Sequence, residues 1–198
     1  MYYIHKKGSN NRLLILFHGT GGDAKEMIGL GKQLDSEASL IAIEGDVKQW
    51  RMNRYFIRHD DGSFDLDNLK DQTKKVYDLT LELIKAYGHE QKETTLVGYS
   101  NGANLIQYML KTYSTNFKYA IMFHPSLVRG DVYFLPQKET MVFVTSGDND
   151  PYITLGEFNE IVMALKKQDI AVKTLHHQYG HALTAQELDK AIKIIRHK

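Results

Sequence analysis

The chain has 198 residues, of which 42% are hydrophobic and 25% charged, so it has the composition of a globular protein large enough to bury a core. The formal net charge is +1 with the histidines neutral, which gives no reason to expect nucleic acid or an anionic membrane as a partner. The lack of cysteine excludes disulfides, thiolate metal sites and a cysteine nucleophile.

Nothing in the sequence indicates a leader or a membrane span. No apolar region follows Lys6 and Lys7, as a signal peptide would require, and no run approaches the ~20 apolar residues of a membrane helix. We therefore expect a cytoplasmic protein. Because neither a repeat nor a low-complexity linker divides the chain, we interpret residues 1–198 as one domain, while the oligomeric state stays open.

Short apolar runs alternate with helical patterns along the chain. Helical spacing of apolar residues occurs at 27–34, 69–83, 106–113, 158–165 and 188–195. The predicted strands are 13–17, 40–43, 94–97, 119–123, 141–145 and 170–175, with 2–5 as a further edge strand, and residues 44–67 are predicted to be a long loop. This alternation predicts an α/β fold in which helices cover both faces of a mostly parallel sheet. Ligands bind such sheets beyond the carboxyl ends of the strands.

The segment Gly98-Tyr99-Ser100-Asn101-Gly102 follows a predicted strand and opens a helix. This is the Gly-x-Ser-x-Gly pattern of a nucleophile elbow, in which a tight turn projects the serine hydroxyl into a cleft. Glycines flank the serine because side chains at those positions would crowd the turn. The alternative is a glycine-rich connection without chemistry. We interpret Ser100 as the nucleophile.

A second glycine-rich turn, residues 18–22, follows the first buried strand. In hydrolases with a nucleophile elbow, a turn at this point supplies one backbone N–H of the oxyanion hole. The donors would be the N–H groups of Thr20 and Asn101, and His18 would be structural. The alternative is a phosphate-binding loop, but the spacing matches neither a dinucleotide fingerprint nor a P-loop.

The acid and the base of a triad are expected after the fifth and sixth strands. Asp148 and Asp150 both follow the fifth strand, and we favour Asp150 because Pro151 keeps it out of a helical conformation. His181 lies in a loop after the sixth strand, so the order Ser, Asp, His is that of the α/β-hydrolase triad. His124, His176 and His177 are competing histidines.

Two segments bear on the substrate pocket. Trp50, Arg54, Tyr55 and Phe56 lie in the long loop and could line the pocket, although an aromatic anchor that pins the loop to the core explains them equally well. Residues 125–138 are too few for a helical lid and carry charged side chains. An open site for short or small acyl esters is therefore predicted.

Together these motifs, at 18–22, 54–56, 62–65, 98–102, 123–125, 150–151 and 180–181, resemble the small bacterial carboxylesterase/phospholipase family of α/β-hydrolases. The resemblance covers nearly the whole chain and is strongest for the hydrolases linked to hydroquinone resistance. It implies a minimal α/β-hydrolase fold without a large lid and a metal-independent esterase that needs no cofactor. It also implies Ser100, Asp150 and His181 as the triad. Members with a dienelactone hydrolase role use cysteine, so Ser100 argues against that chemistry.

The sequence therefore predicts a serine carboxylesterase that acts on a small-molecule ester through an acyl-enzyme. One alternative is a thioesterase or lysophospholipase for long acyl chains. Another is a binding module that uses the hydrolase fold to bind a small molecule without turnover, although a receptor would not need all three triad residues.

Overall fold

The structure is a computed structural model that describes residues 1–196. Its strands are β1 (Tyr3–Lys6), β2 (Leu13–Phe17), β3 (Ser39–Ile43), β4 (Val47–Gln49), β5 (Met52–Arg54), β6 (Thr94–Tyr99), β7 (Tyr119–Phe123), β8 (Met141–Gly147) and β9 (Val172–His177). Its α-helices are α1 (Ala24–Leu34), α2 (Leu66–Ala86), α3 (Asn101–Thr112), α4 (Leu155–Lys167) and α5 (Ala185–Arg196). A single 3₁₀ turn spans Gln91–Glu93 in this described range.

Seven strands form one sheet in the order β1-β3-β2-β6-β7-β8-β9. Only the edge strand β1 runs antiparallel to its neighbour within this described sheet, and every other pairing is parallel. The predicted mostly parallel sheet is confirmed. The carboxyl ends of β2, β6, β7, β8 and β9 consequently lie along one edge, where ligands bind in folds of this kind.

Helices cover both faces of the sheet, as predicted. Alternate residues of β2 point to opposite sides, so that Leu13 and Ile15 join one buried cluster while Leu14 and Leu16 join the other. The first cluster contains the apolar faces of α2, α3 and α4, and the second contains those of α1 and α5. Burial on both sides explains why the central strands are continuously apolar rather than alternating.

The predicted long loop at 44–67 is the main correction to the sequence interpretation. It contains the antiparallel hairpin of β4 and β5 and an isolated bridge between Arg58 and Phe64, and α2 already begins at Leu66. Strands of three residues are too short to give a detectable alternation of side chains. The strand predicted at 170–175 is β9, and it begins later than predicted, at Val172.

The connection between β7 and β8 is short. Residues 124–140 contain no helix, so the prediction that no helical lid covers the site is confirmed for this connection. Among residues 1–196, no helix combines the length and the apolar character that crossing a membrane requires.

Candidate active site

Ser100 occupies a strained turn between β6 and α3. Its backbone angles, φ 51° and ψ −111°, lie in a region that residues other than glycine rarely adopt. A Cβ at Gly98 would lie 2.5 Å from the carbonyl of Gly102, and a Cβ at Gly102 would lie 2.3 Å from the carbonyl oxygen of Phe17. The turn can therefore form only with glycine at both positions.

Asp150 and His181 come together although 31 residues separate them. The Nδ1 of His181 lies 2.7 Å from the Oδ2 of Asp150, and the His181 side chain is partly exposed while the carboxylate is fully buried. Because a carboxylate accepts, Nδ1 carries the proton and Nε2 is left as a base. Tyr99, which precedes the serine, donates its hydroxyl to the carbonyl of His181 at 3.0 Å and so ties the two loops together.

The two candidate aspartates have different partners. Asp150 lies beside His181, whereas the exposed Asp148 lies 2.6 Å from the Nε2 of His176. The other oxygen of Asp150, Oδ1, accepts the backbone N–H of Tyr152 at 2.9 Å. Burial by itself would raise the pKa of Asp150, but hydrogen bonds from His181, Tyr152 and His124 outweigh it, and the pKa lies below its usual value. Of the two candidate aspartates, Asp150 is therefore the one that contacts His181.

A buried histidine–carboxylate cluster, formed by His124, Asp150, His177 and Glu187, lies behind the Asp150–His181 pair. His124 Nδ1 lies 2.8 Å from Asp150 Oδ2, and His124 Nε2 lies 2.9 Å from Glu187 Oε1. The Nε2 of His177 lies 3.1 Å from Glu187 Oε2. Both nitrogens of His124 therefore face carboxylate oxygens, and these two acceptors favour the protonated form of the histidine.

The histidine and the carboxylates of this cluster shift each other's pKa towards the charged form. Burial would lower the pKa of His124, but the carboxylates of Glu187 and Asp150 raise it above its usual value. Burial would raise the pKa of Glu187, but the hydrogen bond from His124 and further donors lower it to about 2. Glu187 also accepts the N–H of Thr184 at 2.7 Å in a capping box at the start of α5.

Two groups of side chains in the described part of the chain are close enough to hold a metal ion. They are His124 with Asp150 and His181, and His124 with His177 and Glu187. However, the contacts of His124 at 2.8 and 2.9 Å are hydrogen-bond separations. Ligands around a tetrahedral zinc with bonds of ~2.0 Å would lie roughly 3.3 Å apart. These short separations are those of hydrogen-bonded or ion-paired side chains rather than of ligands around one zinc ion.

The turn at 18–22 lies opposite the nucleophile elbow. Gly45 N–H donates to His18 Nε2 at 2.9 Å, which leaves His18 Nδ1 to donate to the Gly19 carbonyl at 2.6 Å. A Cβ at Gly19 would lie 2.9 Å from the ring of Tyr99, so the turn depends on glycine there. His18 is thus fully engaged within the fold, and Thr20 is exposed at the cavity.

A cavity of about 420 Å³ contains the predicted site. Ser100, His181, Thr20 and Asn101 all line it, which brings the predicted nucleophile, base and oxyanion donors to one space. Its other lining residues include Met52, Arg54, Arg58, Phe64, Tyr99, Tyr152 and Ile153. The predicted acid, Asp150, lies behind His181 and is not among the residues that line the cavity.

Of the four predicted substrate-binding residues, only Arg54 lines this cavity. Tyr55 and Phe56 are wrong as pocket walls, because both side chains are fully buried in the core. Tyr55 donates its hydroxyl to the carbonyl of Ile43 at 2.5 Å, so it is the aromatic anchor that was the alternative interpretation. Trp50 is 59% exposed and lies outside the lining.

Sequence reasoning missed three members of the buried cluster. His124 and His177 were considered only as competing bases, and Glu187 was not singled out at all. The pattern Thr184-x-x-Glu187 signals a helix cap, but no local pattern shows that this glutamate also faces two histidines, since His124 lies 63 residues away.

The sequence matches the phospholipase/carboxylesterase family over residues 3–198. The chain belongs to the phospholipase/carboxylesterase family. Membership supports an esterase-type hydrolase that acts on small-molecule esters, and it agrees with the resemblance that the sequence motifs carry.

Two proteins similar to this phospholipase/carboxylesterase chain come from Bacillus species. MhqD of Bacillus subtilis (strain 168), which is named as a hydrolase, is 33% identical over 196 residues and is matched over 96% of each chain. A Bacillus cereus carboxylesterase is 31% identical, with a TM-score of 0.92 over 98% of this chain and 92% of that one. YahD, solved with malic acid, is 26% identical, with a TM-score of 0.87 over 97% and 96%. These structures confirm the α/β-hydrolase fold.

Proposed function

We propose that the chain is a metal-independent serine carboxylesterase that hydrolyses small carboxylic esters through an acyl-enzyme. One observation carries the proposal: His181, paired with the buried Asp150 at 2.7 Å, shares a cavity with Ser100 on a strained elbow. A serine hydroxyl is a weak nucleophile unless a neighbouring base takes its proton, and the unprotonated Nε2 of His181 is that base.

The reaction follows from these roles. His181 takes the proton of Ser100 as the hydroxyl oxygen attacks the ester carbonyl, and Asp150 stabilises the imidazolium that forms. The backbone N–H groups of Thr20 and Asn101 bind the oxyanion of the tetrahedral intermediate, at about 3 kcal/mol for each donor. His181 then protonates the leaving alcohol, and a water activated by the same histidine hydrolyses the acyl-enzyme.

The first turn of α3 is well suited to this oxyanion role. Its N-terminal end presents unpaired backbone N–H groups and the positive end of the helix dipole. The side-chain Oδ1 of Asn101 is already engaged, since it accepts the N–H of Tyr55 at 2.9 Å. That contact leaves the backbone N–H of Asn101 as the group available to the substrate.

A small substrate is supported by the shape of the site. The cavity of about 420 Å³ and the short connection at 124–140 offer no covered channel for a long acyl chain. Each CH₂ that is buried contributes about 0.8 kcal/mol, so a pocket that ends after a few carbons gains nothing from longer chains. The malic acid in the YahD structure is a comparably small molecule, which agrees with this size.

The experiment is a series of kcat/KM measurements on 4-nitrophenyl esters from acetate to palmitate. We expect the largest value between two and six acyl carbons. A profile that rises steadily to twelve carbons or beyond would instead favour the thioesterase or lysophospholipase alternative. No turnover of any ester, together with no labelling of Ser100 by a fluorophosphonate, would favour a binding module.

A further inference from the structure

Arg54 is a buried cation at the wall of the active-site cavity. The residue is only 7% exposed, and it lines the same cavity as Ser100 and His181. Its Nε is buried and has no hydrogen-bond partner among residues 1–196. Arg54 forms no ion pair in this range; the arginines that do are Arg12 and Arg129.

A second arginine shares the cavity. Arg58 donates its Nε–H to the carbonyl of Gly62 at 2.6 Å, and its guanidinium carbon lies 5.0 Å from the ring centre of Phe64. Both of these contacts are to neutral groups, so its charge is not compensated either. Among the described residues that line the cavity there is no Asp or Glu. Burial and the nearby charge of Arg58 lower the pKa of Arg54.

Arg54 is held in place by the elements that build the catalytic site. It ends β5, where it pairs with Val47 across the hairpin. A Cβ at Gly45 would lie 2.2 Å from the Arg54 carbonyl oxygen, so the backbones pack directly together at this point. The next residue, Tyr55, donates its N–H to the side chain of Asn101, the neighbour of the nucleophile. The position of Arg54 is therefore fixed relative to Ser100.

Because its Nε is buried and unpaired, Arg54 loses part of its hydration and gains no charged partner, which is unfavourable for a cation. We propose that the cavity accepts esters that carry a carboxylate group, and that the guanidinium of Arg54 binds this carboxylate. The planar fork of arginine matches a carboxylate geometrically. This inference rests on the proposed function, since it assigns a substrate class to the same cavity.

The test uses two pairs of esters that match in shape and differ in charge. Monoethyl succinate carries its carboxylate on the acyl part, and ethyl 4-methylpentanoate replaces that group with an isopropyl group of similar shape. 4-Acetoxybenzoate carries the carboxylate on the alcohol part, and 4-acetoxybenzamide is its neutral counterpart. We expect kcat/KM for the anionic member to exceed that of the neutral member by about tenfold or more in at least one pair.

The variant Arg54→Gln should abolish this preference, and Arg54→Lys should retain part of it because the charge remains. Arg51→Gln is the matched control. This variant also removes one positive charge near the hairpin, but Arg51 is exposed and does not line the cavity. The preference for the anionic esters should therefore persist. A preference lost equally in both variants would mean long-range attraction rather than a contact, and would overturn the assignment to Arg54.

A second measurement does not depend on the variants folding. Succinate should inhibit hydrolysis of 4-nitrophenyl acetate by the parent chain competitively, at least tenfold more tightly than the neutral succinamide. Equal inhibition by the two, or no charge preference in either ester pair, would overturn the inference while leaving the esterase proposal intact. If no ester is hydrolysed, the esterase proposal fails, and calorimetric binding of succinate by the parent chain then decides the inference alone.

Discussion

His124 Nδ1 lies 2.8 Å from Asp150 Oδ2, the same carboxylate oxygen that faces His181. Asp150 is therefore held from two sides by histidines, while its second oxygen accepts the N–H of Tyr152. A carboxylate fixed by three donors cannot rotate away from the base. The orientation of the His181 imidazole in the proposed triad therefore depends on the Asp150 side chain.

The first prediction concerns the two aspartates after β8. Asp150→Asn should reduce kcat by roughly 10⁴-fold, because the amide favours the wrong tautomer of His181, as it does in serine proteases. Asp148→Asn is the matched control, since Asp148 contacts His176 at the surface and should affect kcat little. The measurement is kcat for 4-nitrophenyl acetate with both folded variants. The reverse ranking would move the role of the acid to Asp148.

The second prediction concerns stability in acid. The pKa of Glu187 is lowered from its usual 4.5 to about 2, so its contribution is present above pH 4.5 and is lost as the pH falls towards 2. Glu187→Gln should destabilise the protein at pH 7 by on the order of 3 kcal/mol, since one pKa unit corresponds to about 1.36 kcal/mol. It should also flatten the dependence of stability on pH between 4.5 and 2, as measured by urea unfolding.

The control is Glu157→Gln. Glu157 forms the equivalent capping box with Thr154 at the start of α4, but within the described range it pairs with no histidine. Loss of the cap alone should cost about 1 kcal/mol. Equal destabilisation by the two variants would mean that the contacts with His124 and His177 add nothing. The raised pKa of His124 has the opposite sign, so its contribution is present below pH 6.5 and declines as the pH rises.

The third prediction concerns metal. Because His124 and its carboxylate partners are spaced as hydrogen-bonded groups, hydrolysis should survive dialysis against EDTA within about twofold. The comparison is kcat/KM before dialysis, after it, and after adding zinc, magnesium or manganese. Activity that disappears and returns with one divalent ion would place a metal in one of the two groups around His124.

The fourth prediction concerns the packing of the nucleophile elbow. Gly102→Ala places a methyl 2.3 Å from the carbonyl oxygen of Phe17, so it should cost about 3 kcal/mol and displace Ser100. Gly29→Ala in α1 is the control, because nothing lies within 4 Å of its added methyl. That exposed helical position should gain about 0.5–1 kcal/mol. Thermal unfolding of both variants tests this, and equal melting temperatures would refute the steric argument.

Much of the fold could be predicted because its signals are local. The runs at 13–17 and 119–123 coincide with β2 and β7, since strands buried on both faces are continuously apolar. The elbow could be located because its geometry requires two glycines around Ser100. The sequence does not predict the hairpin at 47–54 because its strands have only three residues each.

The parts of the site that could not be predicted depend on distant contacts. Nothing near Glu187 in the sequence indicates that it is fully buried between His124 and His177. Tyr55 and Phe56 looked suited to a pocket because aromatic residues line many ligand sites. Their burial in the hydrophobic core is a tertiary property. The cavity position of Arg54 and its unpaired Nε likewise emerge only from the whole fold.

The most direct test of the central claim is the rate at which folded Ser100→Ala hydrolyses 4-nitrophenyl acetate. The account predicts a fall in kcat of roughly 10⁶-fold with an unchanged circular dichroism spectrum. The parent chain, but not the variant, should also be labelled by a fluorophosphonate. Hydrolysis by the folded variant at near the parent rate would contradict the assignment of Ser100 as the nucleophile.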